Sequence, residues 1–139
     1  MILGFPRDPP LNLASFFIWH LIVNTKVEYS RSYYSGFPSN VIPLLRISVS
    51  LFLRYYRRVK IGITGNPERR WRQHRNHNKG TWDRMVVKYV TTSVHNANLI
   101  EKFFIEAEPA LKNRWTGWSN MSEAEYYYVY ILLGGRRRK

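Results

Sequence analysis

The stretch from Val59 to His74 constrains this chain more than any other. Val59-Lys60-Ile61-Gly62-Ile63-Thr64 is an apolar, β-branched run that reads as a strand. Gly65-Asn66-Pro67-Glu68 then stops it and opens a helix. Asn66 is a capping residue, Pro67 suits the first helical position and Glu68 complements the positive end of the helix dipole. The helix is expected to run to about Asn76. A strand that hands over to a helix N-terminus brings free backbone N–H groups beside the strand's side chains, an arrangement that favours a phosphate. Arg70 and His74 lie four apart and share one helix face. Arg70 offers a planar fork for phosphate oxygens, and His74 can accept a proton or donate a hydrogen bond. The plain alternative is an exposed helix whose charges only face water.

Charge points the same way. Twenty-two Lys and Arg against nine Asp and Glu give +13 over 139 residues, a potential that attracts polyanions. Nucleic acid is the first partner implied and an anionic membrane surface the second. Between Arg54 and Arg75 stand eight Lys or Arg and one acid, Glu68. Arg54, Arg57, Arg58, Arg69, Arg72 and Arg75 are the candidates for neutralising backbone phosphates, with affinity that falls steeply with salt and shows little sequence preference. Trp71, Trp82, Trp115 and Trp118 are candidates for stacking on unpaired bases, at least two of them being expected in the core. The absence of cysteine removes disulfide scaffolds, Cys-ligated zinc and thiol catalysis. The length fits one domain and excludes a large multidomain enzyme.

Around the central motif the expected elements fall in order. Leu11 to Val23 is thirteen residues interrupted by Asn12, Ser15 and His20, well short of the roughly 20 that span a bilayer. It reads as an apolar helix within an N-terminal extension, residues 1–41. No convincing signal peptide is visible, since Arg7 sits beside Asp8 and Pro9-Pro10 and no small-residue cleavage site follows, so an intracellular location is expected. Lys26 to Pro43 reads as a linker, with Ser35-Gly36-Phe37-Pro38-Ser39-Asn40 as a dense turn signal. Leu45 to Leu53 reads as a strand, Arg54 to Arg58 as a polar turn, and the two flanking runs as a hairpin. Met85 to Ser93 is a third strand. His95 to Ala107 is a helix with Leu99, Ile100, Phe103 and Phe104 on its apolar stripe, ending before Pro109. Tyr126 to Leu133 is a last strand, closed by Gly134-Gly135, and 136–139 is a basic tail. The expectation is an α+β domain over residues 42–135, a small antiparallel sheet flanked by the Asn66 and Asn96 helices.

Lys60-Ile61-Gly62 with Thr64, Arg70 and His74 resembles the second motif of the GIY-YIG nuclease superfamily. There a strand ending Tyr-Ile-Gly leads to a helix with an essential Arg and often a His one turn later. The resemblance covers roughly Ile47 to Asn120. It implies a three-stranded antiparallel sheet, and a DNA endonuclease using one divalent ion, Mg²⁺ or Mn²⁺, held by a glutamate on a later helix. Glu101 matches that glutamate, at the edge of its helix's apolar stripe, where a salt-bridged surface carboxylate is the other reading. The resemblance also implies an Asn after the glutamate helix, for which Asn113 and Asn120 are candidates and Asn120 is favoured.

Two positions depart from the family pattern. Lys60 stands where the second motif has its Tyr, and no Gly-Ile-Tyr motif precedes it. Tyr56, or its neighbour Tyr55, is a candidate for the missing phenol from a shifted register. Tyr128-Val129-Tyr130-Ile131-Leu132-Leu133 at the C-terminal end looks more like a first-motif strand than anything upstream, as in a permuted or decayed copy. The implied chemistry is phosphodiester hydrolysis in which Arg70 stabilises transition-state charge, a tyrosine orients or deprotonates water, and a buried Lys60 serves as a base. The competing readings are a decayed relative that still binds nucleic acid, and a basic protein whose Leu11–Val23 segment docks on a membrane or a partner.

Overall fold

The computed structural model describes residues 27–77, 80–113 and 123–137. Among them the order of elements is β1 (Val27–Tyr34), α1 (Pro38–Tyr55), β2 (Tyr56–Thr64), α2 (Pro67–His77), β3 (Arg84–Thr91), α3 (Val94–Ala107) and β4 (Tyr127–Arg136). The last strand in the chain runs through the interior of the sheet. The spatial order is β1-β3-β4-β2. β4 pairs antiparallel with both β2 and β3, and β1 adds in parallel outside β3. The fold is therefore α+β, with an antiparallel trio extended by a parallel strand into a mixed sheet of four.

β4 is buried on both faces from Tyr127 to Gly134, as an inner strand with helices on either side requires. On one face Val129, Ile131 and Leu133 join Val59, Ile61, Val86 and Tyr89, covered by Val41, Leu45 and Val49 of α1 and by Ala97, Ile100 and Phe104 of α3. On the other face Tyr128, Tyr130 and Leu132 join Met85 and Val87, and Trp71 of α2 packs over them. The ends of α2 and α3 follow the local signals. Asn66 Oδ1 accepts from the backbone N–H of Arg69 at 3.1 Å, and Ser93 Oγ accepts from that of Asn96 at 3.1 Å.

Several expectations are corrected. Leu45 to Leu53 is helical, so there is no hairpin and no polar turn at Arg54 to Arg58; α1 hands over directly to β2. The run alternates well enough for a strand, yet Val41, Leu45 and Val49 also recur every four residues and are buried. Burying them stabilises the helix by roughly 1.5–3 kcal/mol each, against about 0.5 kcal/mol lost for a β-branched residue in a helix. Packing wins over propensity. The stretch expected as a linker contains β1, whose Val27, Glu28 and Tyr29 stand opposite Met85, Val86 and Val87. The boundary expected between residues 41 and 42 falls inside α1, and Arg136 of the expected tail ends β4. The Leu11–Val23 segment lies outside the described residues. Among those described, no helix is long and apolar enough to cross a membrane.

Candidate active site

Gly62 and Tyr130 stand directly opposite each other across the β2–β4 ladder. The Tyr130 ring lies over the glycine: a Cβ built on Gly62 would meet Tyr130 Cζ and Oη at 2.4 Å. A glycine inside a β-branched run marks such a close approach. The phenol is thus carried across β2, the edge strand that also bears Lys60. From the following helix, Arg70 Nε donates to Tyr130 Oη at 3.3 Å, and His74 Nε2 lies 3.0 Å from the same oxygen. The imidazole meets the phenol ring edge-on, at a centroid separation of 5.8 Å. Arg70 Nη1 donates in turn to Gln73 Oε1 at 3.0 Å, so one helix face presents a fixed guanidinium.

Glu101 of α3 joins this cluster electrostatically, Lys60 and Arg70 each favouring its ionised form. The groups bear the mark of a partly desolvated, cation-rich site. Burial pushes the Glu101 carboxyl up to about 7 in spite of those two cations. Burial, then Arg70, Lys60 and His77, push His74 down to about 4, so its imidazole is neutral at ordinary pH. Lys60 is lowered by burial and then by Arg70, with Glu101 opposing. Tyr130 is raised by burial, with the hydrogen bond from Arg70 opposing.

The expected site residues divide into those gathered here and those placed elsewhere. Lys60, Arg70, His74 and Glu101 come together. Tyr56 does not: it opens β2, opposite Arg136, and its hydroxyl accepts from Arg84 Nη1 at 2.6 Å. The phenol that meets Arg70 and His74 is that of Tyr130. Asn120 lies outside the described residues, as do Trp115 and Trp118. Asn113 seals the free edge of β2, its Oδ1 accepting from Ile61 N at 2.9 Å and its Nδ2 donating to Ile61 O at 2.7 Å. Trp71 is a core residue, 1% exposed.

The basic ridge is also rearranged. Arg69, Arg72 and Arg75 are exposed on α2, whereas Arg54 closes α1 and Arg57 lies at the start of β2, the end opposite the turn into α2. Arg58 is spent on structure, its Nε and Nη2 donating to Thr81 O at 3.2 and 2.9 Å. Glu68 is buried and accepts from the Tyr29 hydroxyl, so it adds no negative charge to the outer face of α2.

Among the described residues none donates a hydrogen bond to the Glu101 carboxylate, and no three acidic or imidazole groups gather that would enclose a metal ion. One open carboxylate suits a hard cation that keeps most of its waters and completes its shell with phosphate oxygens. It does not suit a closed, protein-ligated zinc site. The residues therefore fit a single Mg²⁺-like ion on Glu101. No protein-family model, no curated protein and no solved structure matches the chain.

Proposed function

We propose that this protein is a metal-dependent endonuclease hydrolysing DNA phosphodiesters at a GIY-YIG-like site, with the first-motif tyrosine supplied by the last strand of the chain. The observation that carries the reading is the Tyr130 hydroxyl, held by Arg70 and His74 over Gly62. In this reading β4 follows the Lys60-Ile61-Gly62 strand and the glutamate helix in sequence, yet lies beside that strand in space, as a permuted family member requires. Arg69, Arg72 and Arg75 draw the DNA backbone to the outer face of α2, and the affinity is salt-dependent.

The roles follow from the hydrogen bonds. A neutral His74 accepts a hydrogen bond from the Tyr130 hydroxyl at Nε2 while Arg70 donates to the phenol oxygen, which leaves that oxygen one lone pair to orient a water. The water attacks phosphorus, its proton passes to the neutral form of Lys60, and the bond to the leaving sugar oxygen breaks, that oxygen taking a proton from solvent. Lys60 is assigned the task because burial, then Arg70, lowers its pKa from the ordinary lysine value, with Glu101 opposing. The Arg70 guanidinium, held by Tyr130 and Gln73, meets the charge that builds on the non-bridging oxygens. A divalent ion held by Glu101, when bound, neutralises charge on the phosphate and the leaving oxygen.

A second reading, binding without cleavage, draws on the same phenol. Tyr130 is only 2% exposed, so a water reaches its oxygen only after the side chains around it shift. Incubation with supercoiled plasmid and Mg²⁺ or Mn²⁺ separates the two. The nuclease reading expects nicking that disappears with chelator and in Glu101→Ala. Retention of the plasmid in gel shifts without nicking, in either metal, supports the binding module and overturns the nuclease.

A further inference from the structure

One buried polar atom on α3 has no protein partner. Asn98 is 2% exposed, and its side-chain Oδ1 is withdrawn from solvent with no hydrogen-bond donor. Leaving a buried carbonyl unpaired has a substantial free-energy cost, and such groups in folded proteins call for a ligand, an ion or a water. Asn98 precedes Glu101 by three residues on the same helix, so the two side chains are neighbours on one face. Their positions, about 60° apart around the helix, lie on the flank of the core stripe formed by Ala97, Ile100 and Phe104. The Glu101 carboxylate likewise accepts no hydrogen bond from a described residue. Two oxygen acceptors three residues apart on one helix, one anionic and one neutral, thus lack donors among the described residues.

We propose that Asn98 Oδ1 and the Glu101 carboxylate are joint ligands of one divalent cation, Asn98 supplying an inner-sphere carbonyl in place of a water. The inference rests on the reading of Glu101 as a metal ligand and adds to it a second ligand and a selectivity. A neutral carbonyl beside a carboxylate is an ordinary donor pair for a hard cation. Because Oδ1 is enclosed, the ion sheds a water to reach it. Mg²⁺ dehydrates reluctantly, so the site favours Mn²⁺ over Mg²⁺.

The test is Mn²⁺ binding to the full-length protein without DNA, followed by electron paramagnetic resonance and by the thermal shift that Mn²⁺ produces. The expected result is at least tenfold weaker Mn²⁺ binding in Asn98→Ala, loss of binding in Glu101→Ala, and tighter binding in Asn98→Asp. Competition by Mg²⁺ is expected to be weaker in the wild type than in Asn98→Ala. Asn98→Leu controls for folding: by removing an unpaired buried carbonyl it raises the melting temperature of the metal-free protein while it weakens Mn²⁺ binding. Wild-type affinity in both Asn98→Ala and Asn98→Leu, with loss in Glu101→Ala, overturns the second ligand and leaves the nuclease reading standing. No Mn²⁺ binding by the wild type, or full binding by Glu101→Ala, overturns both.

Discussion

Two polar clusters sit on β2, and they dispose of their charge in opposite ways. At its start, Arg84 pairs with Glu28 through Nε and, at 2.7 Å, through Nη2, and donates to Tyr56 through Nη1. The cation has an anion, the phenol has a donor, and the guanidinium pKa is driven above its usual value. Farther along, Lys60, Arg70 and Tyr130 share the field of one carboxylate that has no hydrogen-bond donor among the described residues, and His74 stands against the Tyr130 hydroxyl under the field of Arg70 and Lys60. Burial shifts Lys60, His74 and Glu101 each toward its neutral form. A network that only holds a fold together closes on itself. A network left cation-rich and unclosed is disposed to accept an anion such as a phosphate.

Removing one arginine from each cluster should give opposite results. Arg70→Ala is expected to lower plasmid nicking by about 10³-fold, the scale of losing a transition-state donor, with little change in melting temperature. Arg84→Met should leave nicking unchanged and lower stability by about 1 kcal/mol, because its ion pair is partly solvent-exposed. If Arg84→Met proves the more damaging to nicking, the two clusters have been assigned the wrong way round.

Gly62→Ala sharpens the comparison from the backbone. Its Cβ cannot occupy the space of the Tyr130 ring, so the phenol must move away from Arg70 and His74. Overpacking of this kind costs about 1–3 kcal/mol, read by denaturant unfolding, and nicking should fall together with stability. Unchanged stability and activity would show that the ring does not lie over Gly62.

The pH dependence of stability separates the groups within the open cluster. His74 titrates near 4 when folded and near 6.5 ordinarily, so between those values the unfolded chain binds more protons and stability falls on acidification. Glu101 titrates near 7 when folded and near 4.5 ordinarily, so the folded chain binds more protons and stability rises on acidification. The two contributions oppose each other between about 4.5 and 6.5, and the wild type should be nearly flat there. Glu101→Gln should lose up to roughly 3 kcal/mol as the pH falls through this window, and His74→Gln should show the opposite slope. Parallel slopes in the two variants would contradict the assignment.

Legibility in the sequence followed the range of the interactions. α2 was readable because Asn66, Pro67 and Glu68 act within one turn, and the end of α3 because Pro109 acts on its own neighbours. Lys60, Arg70, His74 and Glu101 were readable as one site through a motif that spans a strand, a helix and a later helix. α1 was not, because its run satisfies both a two-residue and a near-four-residue period and only burial against the sheet decides between them. β1 was hidden in a Tyr- and Ser-rich stretch whose pairing with β3 is distant in sequence. The Tyr128–Leu133 run reads as a strand that looks like a displaced first motif, but nothing local in the sequence brings it beside β2 or singles out Tyr130 over Tyr128. Gly62, flanked by Ile61 and Ile63, was the available hint that a bulky group crosses there.

The most direct measurement compares two phenols on the same strand pair. Tyr130→Phe and Tyr56→Phe each remove one hydroxyl, and each is first checked to be folded by circular dichroism and thermal melting. Nicking of supercoiled plasmid in Mn²⁺ is then timed for both. Tyr130→Phe is expected to lose at least 100-fold in rate while Tyr56→Phe stays within twofold of the wild type. Equal rates in the two variants, or loss confined to Tyr56→Phe, would contradict the assignment of the active site to β4.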